Sequence, residues 1–319
     1  MSSVKNNQNS LGRWVPLAVV ACLVLIWMSQ TFSKIEPEGW HPPDSAQIPL
    51  TPHGDTIRYG LELIRNTANY LGPKGVVQTM SNGMNCQNCH LEAGTKFLGN
   101  NFSAVSATYP KFRARSGTIE TIEKRINDCL ERSLNGKPLE SDRYEMLAMK
   151  AYILWVGSNV SKGQTPKGAG LMPIPFLDRA ANPERGRALY AVKCVACHGS
   201  QGAGVIKPDS SGYAFPPVWG ANSFNVSAGL YRITRMAGYI KANMPQAATR
   251  QTQLSDDEAW DIAAFIISQP RPDKKFAADW PDIKQKPIDH PFGPYADNFS
   301  ESQHKFGPFK PIQEKSLSN

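Results

Sequence analysis

The stretches "CQNCH", from Cys86 to His90, and "CVACH", from Cys194 to His198, decide the fold of this chain. Each has two cysteines separated by two residues and followed at once by a histidine, which is the pattern that attaches haem c. The two thiols add to the vinyl groups of the haem, and the adjacent imidazole is then placed to bind the iron. A redox C-x-x-C pair does not need the histidine, and a zinc site would need two more ligands per motif. The sequence therefore predicts two covalently bound haem c groups.

The predicted attachment residues and first iron ligands follow directly from the two motifs. The thioether bonds are expected at Cys86, Cys89, Cys194 and Cys197, and the first axial ligands are expected to be His90 and His198.

Both motifs have similar surroundings. The apolar residues of "GDTIRYGLELIRNTANYLG" recur at helical spacing before the first motif, and Asn182 followed by Pro183 starts a helix before the second. A further helix follows each motif, one opening at Asp142 with Glu145 as its third residue and one opening with a capping box at Ser255. The order helix, haem motif, loop, helix thus occurs twice. This indicates a mainly α protein with two tandem class I cytochrome c domains after an N-terminal membrane segment.

The N-terminus carries an uncharged run from Trp14 to Met28 that follows Lys5 and Arg13. The run is long for the core of a signal peptide and shorter than the roughly 20 residues of a comfortable span. No A-x-A cleavage signature follows it, so the pattern favours an uncleaved anchor, with a cleaved signal peptide as the alternative and lipidation at Cys22 as a third interpretation. Positive charge before the run keeps the N-terminus inside. We therefore expect a periplasmic protein tethered to the inner membrane.

Composition changes along the chain divide it into four segments. We expect an anchor segment at 1–33, an N-terminal cytochrome c domain with the active-site haem at 34–177, a C-terminal domain with the electron-transfer haem at 178–270, and a proline-rich extension at 271–319. The boundary between the two cytochrome c domains lies in "SKGQTPKGAGLMPIPFLDRAA", whose glycines and prolines interrupt helical periodicity. The net charge of +8 is spread over 319 residues without a nucleic-acid motif. No nucleic-acid partner is predicted.

The second iron needs a second axial ligand, and Met244 in "KANMPQ" is the best candidate. It comes 46 residues after His198 and just before the last predicted helix. A thioether favours ferrous iron and raises its potential, which suits a site where electrons leave the protein. Met236 is the nearest rival ligand, and a role for Met244 as a core side chain is the remaining alternative.

The first iron has no methionine in the matching region, and the soft ligand available there is Cys129, 39 residues after His90. A lone cysteine in an exported protein is a liability unless it has a function. On a helix predicted over 118–134, Arg125, Cys129 and Ser133 follow one another along one edge of the apolar stripe. A nearby arginine favours the thiolate, which is the form that binds iron. We therefore predict thiolate ligation, with a small buried hydrophobic role as the alternative. The apolar stripe consists of Ile119, Ile122, Ile126 and Leu130.

Basic residues are frequent around Cys129, and two of them are the best candidates for binding an anion. The rigid guanidinium forks of Arg115 and Arg125 suit oxyanions better than lysine does. Most of the others are expected to form a solvated helix face or to pair with haem propionates. The full set is Lys111, Arg113, Arg115, Lys124, Arg125 and Arg132.

The stretch "RARSGTIETIEKRINDCLERSLNGKPL", with "NCQNCH" before it and "ANMP" after "CVACH", resembles the dihaem thiosulfate dehydrogenase family. The resemblance runs from about residue 40 to 270 and is most specific around Cys129. It implies that two thiosulfates are coupled to tetrathionate with release of two electrons at one haem, and that the electrons are relayed through the other. Some members run the reverse reaction as tetrathionate reductases.

The resemblance also implies roles for particular residues. The active-site haem of the family has histidine and cysteine ligands, matched here by His90 and Cys129, and the electron-transfer haem takes a histidine and a methionine, matched by His198 and Met244. Some members carry a lysine before that methionine and exchange the two ligands on reduction. Asn243 stands there in this chain, so we expect methionine ligation without exchange. The implied catalytic residues are Cys129, Arg115, Arg125 and Ser133.

Two other functions stay open from the sequence. The first is a non-catalytic, membrane-tethered dihaem electron carrier that feeds a terminal oxidase or reductase. It would explain the anchor and both haems, but it assigns no function to Cys129. A dihaem enzyme of the sulfur-oxidising multienzyme system would join thiosulfate to a carrier protein instead of to a second thiosulfate. If the chain is a thiosulfate dehydrogenase, its expected redox partner is a c-type cytochrome or a similar electron acceptor or donor.

Overall fold

Helices dominate the computed structural model, which describes residues 39–246 and 253–317. The mainly α class expected from the sequence is confirmed for this part of the chain. The predicted anchor at 1–33 and the candidate lipidation site Cys22 lie outside the described residues. Within the described ranges, no helix has the length and apolar character needed to cross a membrane.

In the first half of the described chain, two α-helices precede the haem motif and four follow it. The motif lies on a 3-10 turn at Cys86–Asn88, and helix α1 packs along helix α6. A short hairpin pairs strand β1 (Lys111–Arg113) antiparallel with strand β2 (Thr118–Glu120). The helices of this half are α1 (Pro52–Arg65), α2 (Thr67–Leu71), α3 (Leu91–Gly94), α4 (Val105–Thr108), α5 (Ile122–Arg132) and α6 (Tyr144–Val156).

The second half repeats this plan with a different loop between its helices. Helix α10 packs against both α7 and α9, and the second motif ends on the one-turn helix α8. Strands β3 (Val205–Ile206) and β4 (Tyr213–Phe215) form a small antiparallel hairpin after that motif. The helices of this half are α7 (Pro183–Lys193), α8 (Val195–His198), α9 (Ile233–Asn243) and α10 (Asp256–Ser268).

Helix starts follow the sequence signals in two of three cases. The Asn182 side chain accepts hydrogen bonds from the backbone N–H groups of the first turn of α7, and Ser255 forms the expected capping box with Glu258. The third signal was wrong, because α6 starts at Tyr144 and no side chain caps it.

The proposed continuous helix over 118–134 was also wrong at its start. Residues 118–120 form strand β2, and α5 begins only at Ile122, after Thr121 caps it. Ile119 therefore does not join the apolar stripe, and its side chain is 71% exposed. Ile122, Ile126 and Leu130 are buried as expected.

The chain after α10 is packed against the domains. It contains a 3-10 turn (Ile283–Gln285) and helices α11 (Glu301–Phe306) and α12 (Lys310–Leu317). Phe309 is 2% exposed, and its ring centroid lies 5.7 Å from that of Trp260 and 5.4 Å from that of Phe176. The described residues from Trp40 onward thus form one compact unit, in which the C-terminal extension contributes to the core.

Each half brings its two long helices together at a glycine. A Cβ atom added to Gly186 of α7 would lie 1.8 Å from the backbone oxygen of Asp261 in α10. A Cβ atom at Gly60 of α1 would likewise lie 1.9 Å from the backbone oxygen of Ala148 in α6. Both crossings therefore need direct backbone contact that a side chain would prevent.

Replacing Gly186 with alanine is expected to destabilise the protein by about 3 kcal/mol, because overpacking against backbone cannot be relieved by a rotamer change. The loss should appear although alanine by itself favours a helix over glycine by about 1 kcal/mol. Denaturant unfolding of the holoprotein measures the change. Gly229→Ala is the matched control, because nothing lies within 4 Å of its added Cβ. Equal stability of Gly186→Ala and wild type would contradict this view of the crossing.

Candidate active site and haem-binding sites

The first haem motif presents its histidine in a form that can bind iron. Nδ1 of His90 lies 2.6 Å from the backbone oxygen of Asn100, so Nδ1 carries the proton and Nε2 keeps its lone pair. Burial lowers the pKa of His90 to about 4, against the effect of that hydrogen bond. The ring packs against Phe102 at a centroid distance of 4.6 Å. A neutral, oriented imidazole is what a haem ligand requires.

Short hydrogen bonds tie the first motif to α2. The side-chain oxygen of Asn85 accepts from the N–H of Ala68 at 2.8 Å, and the N–H of Cys86 donates to Oγ1 of Thr67 at 3.0 Å. The N–H of Asn85 donates in turn to the side chain of Asn88 at 2.7 Å. These bonds hold Cys86 and the residue before it against α2.

Cys129 lies on α5 in the electrostatic range of both attachment cysteines. Burial raises the pKa of the Cys89 thiol to about 12 and that of the Cys86 thiol to about 11, and a negative charge on Cys129 adds to both increases. The fold therefore brings Cys129 to the first motif across 39 residues of sequence, from His90 to Cys129. The thiolate ligation of the first iron stays a prediction.

Arg125 lies one helical turn before Cys129 on α5. A negative charge on Cys129 is the largest influence raising the pKa of the Arg125 guanidinium above its ordinary value, and burial opposes it. Within the described ranges, no carboxylate approaches Arg125 to ion-pair distance. A thiolate at Cys129 would therefore stabilise this guanidinium, which has no carboxylate partner among the described residues.

Arg115 lies on the turn between β1 and β2 and is buried near the same place. Its Nη1 donates to the backbone oxygen of Ser227 at 3.3 Å. Burial, with smaller contributions from the positive charges of Arg132 and Arg125, lowers its pKa to about 10, against the opposing effect of two nearby carboxylates. Two partly buried guanidinium groups that repel each other are costly unless an anion joins them. The arrangement therefore favours the binding of an anion.

The remaining predicted residues fall into two groups. Ser133 caps the C-terminus of α5, and its N–H donates to the backbone oxygen of Cys129 at 2.9 Å, which places it one turn further along the same helix. Lys124 and Arg132 are instead engaged by acids, because Lys124 pairs with Asp128 at 2.5 Å and Arg132 binds a carboxylate of the C-terminal extension.

The structure adds residues that the sequence did not single out. Tyr109 adjoins the site, since the charges of Arg125 and Arg113 oppose the increase in its pKa that burial causes. Arg235, on α9 of the second half, is near enough for Arg113 and Arg125 to add to the lowering of its pKa, behind burial and Arg232. No sequence periodicity links Arg235 to the first motif, because the contact depends on how the two halves pack.

The second motif lines a cavity of about 670 Å³ whose walls fit a haem. Nδ1 of His198 lies 2.9 Å from the backbone oxygen of Pro216, which again leaves Nε2 for a metal. Burial lowers the pKa of His198. Apolar side chains dominate the rest of the wall, and Cys89 of the first motif reaches it too. The cavity-lining residues of interest are Cys194, Cys197, His198, Met236 and Met244.

The last turn of α9, just before Met244, is held in place by side-chain hydrogen bonds. The side-chain nitrogen of Asn243 donates to the backbone oxygen of Leu98 in the first half at 3.0 Å and to that of Tyr239 at 3.1 Å. Lys241 is held away from the cavity, since its Nζ donates to the backbone oxygen of Leu254 at 2.6 Å. Neither side chain replaces a thioether, which is consistent with the methionine ligation expected from the sequence.

Replacing Met244 with alanine is expected to lower the midpoint potential of the second haem by on the order of 100 mV, because a thioether ligand favours ferrous iron. Spectroelectrochemical titration of the holoprotein measures both haems separately. Met236→Leu is the matched control, since Met236 lines the same cavity. If Met236→Leu gave the shift and Met244→Ala did not, Met236 would be the ligand.

Comparisons with known proteins agree with this division into two haem domains. A family profile described as "SoxA/TsdA, cytochrome c domain" matches residues 77–164, and one described as "Cytochrome C oxidase, cbb3-type, subunit III" matches residues 181–266. The prediction of two tandem cytochrome c domains is confirmed, and with it the prediction of two covalently bound haem c groups.

Several relatives share most of this chain. The thiosulfate dehydrogenase of Allochromatium vinosum is 38% identical over 234 residues, which is 72% of this chain and 83% of that protein. That of Psychrobacter arcticus is 36% identical over 242 residues, 75% of this chain and 71% of that protein. The solved structure of thiosulfate dehydrogenase (TsdBA) from Marichromatium purpuratum matches with a TM-score of 0.68 and 31% identity, over 74% of this chain and half (50%) of that longer chain. This chain belongs to the thiosulfate dehydrogenase family of dihaem c-type cytochromes.

Proposed function

We propose that this protein couples two thiosulfate dianions to one tetrathionate and releases two electrons. The observation that supports it most is the position of Arg125 one helical turn before Cys129 near the first haem motif, where no carboxylate of the described residues forms an ion pair with that guanidinium. A simple electron carrier has no use for a free, half-buried thiol beside guanidinium groups that no carboxylate of the described residues neutralises. An enzyme that acts on sulfur oxyanions needs both.

The ligand sets that we propose are His90 with Cys129 for the first haem and His198 with Met244 for the second. When bound, the two haems take up the electrons released at the first site and pass them outward. The orientation of both histidines by backbone carbonyls supports this assignment. Asn243 before Met244 supports a second site that keeps one ligand set in both redox states.

In this proposal Arg115 and Arg125 reduce the repulsion between the two thiosulfate dianions. Two thiosulfates bring four negative charges into one site, and their repulsion grows as water is excluded. Arg115 and Arg125 place positive charge where the sulfonate groups meet, which lowers the free energy of the encounter more than that of either bound anion alone. The Ser133 hydroxyl donates a hydrogen bond to a sulfonate oxygen in this proposal.

Cys129 supplies the sulfur that keeps the first thiosulfate in place. In the first step the Cys129 thiolate would give up its place as a ligand and form a sulfur–sulfur bond with the outer sulfur of one thiosulfate, and the two electrons released would pass to the two haems, one to each. The outer sulfur of the second thiosulfate then attacks that bond, which forms tetrathionate and returns the Cys129 thiolate. Charge balances in both steps, and no proton is transferred. Because each step is reversible in principle, the same residues would serve tetrathionate reduction.

The cellular setting is proposed from the sequence. We propose a periplasmic enzyme tethered to the inner membrane through residues 1–33, with a cleaved signal peptide as the alternative. The domains would span 34–177 and 178–270, followed by the extension at 271–319. Its redox partner would be a c-type cytochrome or another carrier that exchanges electrons with the second haem.

The test is thiosulfate-dependent reduction of an artificial acceptor by the full-length holoprotein, with tetrathionate quantified as product. We expect one tetrathionate for every two electrons, without any partner protein. Joining of thiosulfate only to an added carrier protein would favour the multienzyme-system alternative. If thiosulfate left both haems oxidised and tetrathionate left the reduced haems unchanged, the electron-carrier function would replace this proposal.

A further inference from the structure

The C-terminal extension packs directly on the turn that carries Arg115. The N–H of Trp280 donates to the backbone oxygen of Arg115 at 2.6 Å. The Arg115 guanidinium carbon lies 5.6 Å from the centroid of the Trp280 ring, within cation–π range. Next to it, a Cβ atom on Gly117 would lie 2.6 Å from Cγ of Pro281. Residues 280 and 281 thus hold both the backbone and the side chain of this turn.

A second point of attachment leads to the same extension. Arg115 donates from Nη1 to the backbone oxygen of Ser227, and Oγ of Ser227 donates to the backbone oxygen of Lys274 at 2.9 Å. A guanidinium has five N–H donors. Among the described residues one of these donors of Arg115 has a hydrogen-bond acceptor, so the others can bind an anion while the aromatic face restricts the orientation of the group.

The Trp280 side chain is held in place by a hydrogen bond to His290. It adopts a left-handed backbone conformation with φ of 63°, which is uncommon for a residue other than glycine. Its Nε1 donates to Nε2 of His290 at 3.2 Å, and Nδ1 of His290 donates to the backbone oxygen of Phe292 at 3.1 Å. Burial lowers the pKa of His290 to about 3, so the ring stays neutral and Nε2 stays an acceptor.

The C-terminal extension makes different contacts with Arg132 and with Arg115. Asp279 binds Arg132 through two hydrogen bonds of 2.6 and 2.8 Å, and the Arg132 guanidinium also lies 3.9 Å from the centroid of the Phe276 ring. Arg115 receives an aromatic face and a carbonyl, but no carboxylate at ion-pair distance in the described part of the chain. The charge of Arg132 is therefore compensated by an ion pair, whereas no carboxylate of the described residues compensates the charge of Arg115.

We propose that Trp280 is a positioning residue for substrate: the C-terminal extension holds the Arg115 guanidinium in the orientation that binds a sulfonate group. The inference rests on the proposed function for the identity of the substrate. It extends that function by making residues 271–317, which lie beyond both family profiles, part of the anion site. Arg115 touches the substrate in this proposal, and Trp280 acts through it.

The test compares Trp280→Leu with Phe276→Leu in the full-length holoprotein. Both changes remove an aromatic face from an arginine, but Arg132 keeps its carboxylate in the second variant. We expect Trp280→Leu to raise KM for thiosulfate at least about tenfold, the scale of one charged hydrogen bond, with a smaller change in kcat. Sulfate, a non-reacting dianion titrated calorimetrically into the oxidised protein, should lose affinity by a similar factor. Phe276→Leu should leave both values near wild type.

Two further variants separate positioning from a general loss of structure. Trp280→Phe keeps a ring and loses only the bond to His290, so its effect should lie between wild type and Trp280→Leu. In an Arg115→Gln background, Trp280→Leu should add nothing to KM or to the sulfate affinity, because coupled residues are not additive. Fully additive losses would overturn the proposal. A shift in the potential of the first haem with unchanged sulfate affinity would also overturn it, by assigning Arg115 to a haem propionate.

The proposal and the proposed function fail in different ways. Wild-type thiosulfate oxidation with no effect of Trp280→Leu on KM or sulfate binding would refute the positioning role alone. Absence of thiosulfate oxidation in wild type, with sulfate binding that still depends on Trp280 through Arg115, would refute the proposed reaction and leave the positioning role intact.

Discussion

Cys129→Ala protein is expected to lose thiosulfate oxidation by at least about 10⁴-fold, as enzymes do when a residue that takes part in bond formation is removed. Both haems should remain attached, because the thioether bonds are made at the two C-x-x-C-H motifs and not at Cys129. The measurement is thiosulfate-dependent acceptor reduction, together with the ratio of haem to protein. Alanine is the preferred replacement because it suits the interior of α5 better than glycine does.

The physical reason is that one side chain supplies two things. Removal of the thiol takes away the sulfur that would bond to thiosulfate, and it removes the thiolate that would stabilise the neighbouring Arg125 guanidinium. Ser133→Ala is the matched control on the same helix edge, where loss of one hydrogen bond should cost about tenfold or less. If Cys129→Ala kept near-wild-type turnover while the potential of the first haem rose, Cys129 would be a ligand that tunes potential and not a catalytic residue.

The local parts of this protein could be predicted from the sequence. A C-x-x-C-H motif contains all residues that attach the haem, so its meaning does not depend on distant contacts. The capping box at Ser255 is equally local, and the structure confirms it. Cys129 and Arg125 are one helical turn apart, so their proximity follows from helix geometry as soon as a helix is assigned there.

Contacts between distant segments could not be predicted in this way. Arg132 and Asp279 are 147 residues apart in sequence, and Arg115 and Ser227 are 112 apart. Hydrophobic periodicity reports which face of an element is buried, but not which other segment covers it. The sequence therefore described residues 271–319 only as a proline-rich extension. Their packing against Arg115 becomes visible only in three dimensions.

The error at the start of α5 has the same origin. Helical spacing of Ile119 with the later isoleucines indicated one helix, but Phe112 lies opposite Ile119 in the β1–β2 hairpin. Backbone pairing with an earlier strand outweighs a weak helical pattern over three residues. The consequence for function is favourable, because the hairpin presents Arg115 on a tight turn. A helix would have spread the same residues along a face.

Arg125→Gln protein is expected to lose kcat/KM for thiosulfate by at least about 10³-fold, the scale of removing a buried charged group that stabilises a developing transition state. Glutamine keeps much of the length and the hydrogen-bonding character, so the change tests the charge. Arg125→Lys should recover part of the loss, since it restores the charge without the planar fork that binds two oxygens. Steady-state kinetics of the three proteins at fixed ionic strength give the comparison.

A change in charge remote from the site should have no such effect. Arg187→Gln is the matched control, because Arg187 is an exposed arginine on α7 that pairs with Glu184. Screening by salt distinguishes the two positions further, since buried pairs are screened much less than exposed ones. If Arg125 served only a haem propionate, Arg125→Gln would shift the potential of the first haem and leave the sulfate affinity of the oxidised protein unchanged. We expect the opposite order of effects, because Arg125 lies one helical turn from Cys129, which is the group that the first thiosulfate has to approach in the proposed reaction.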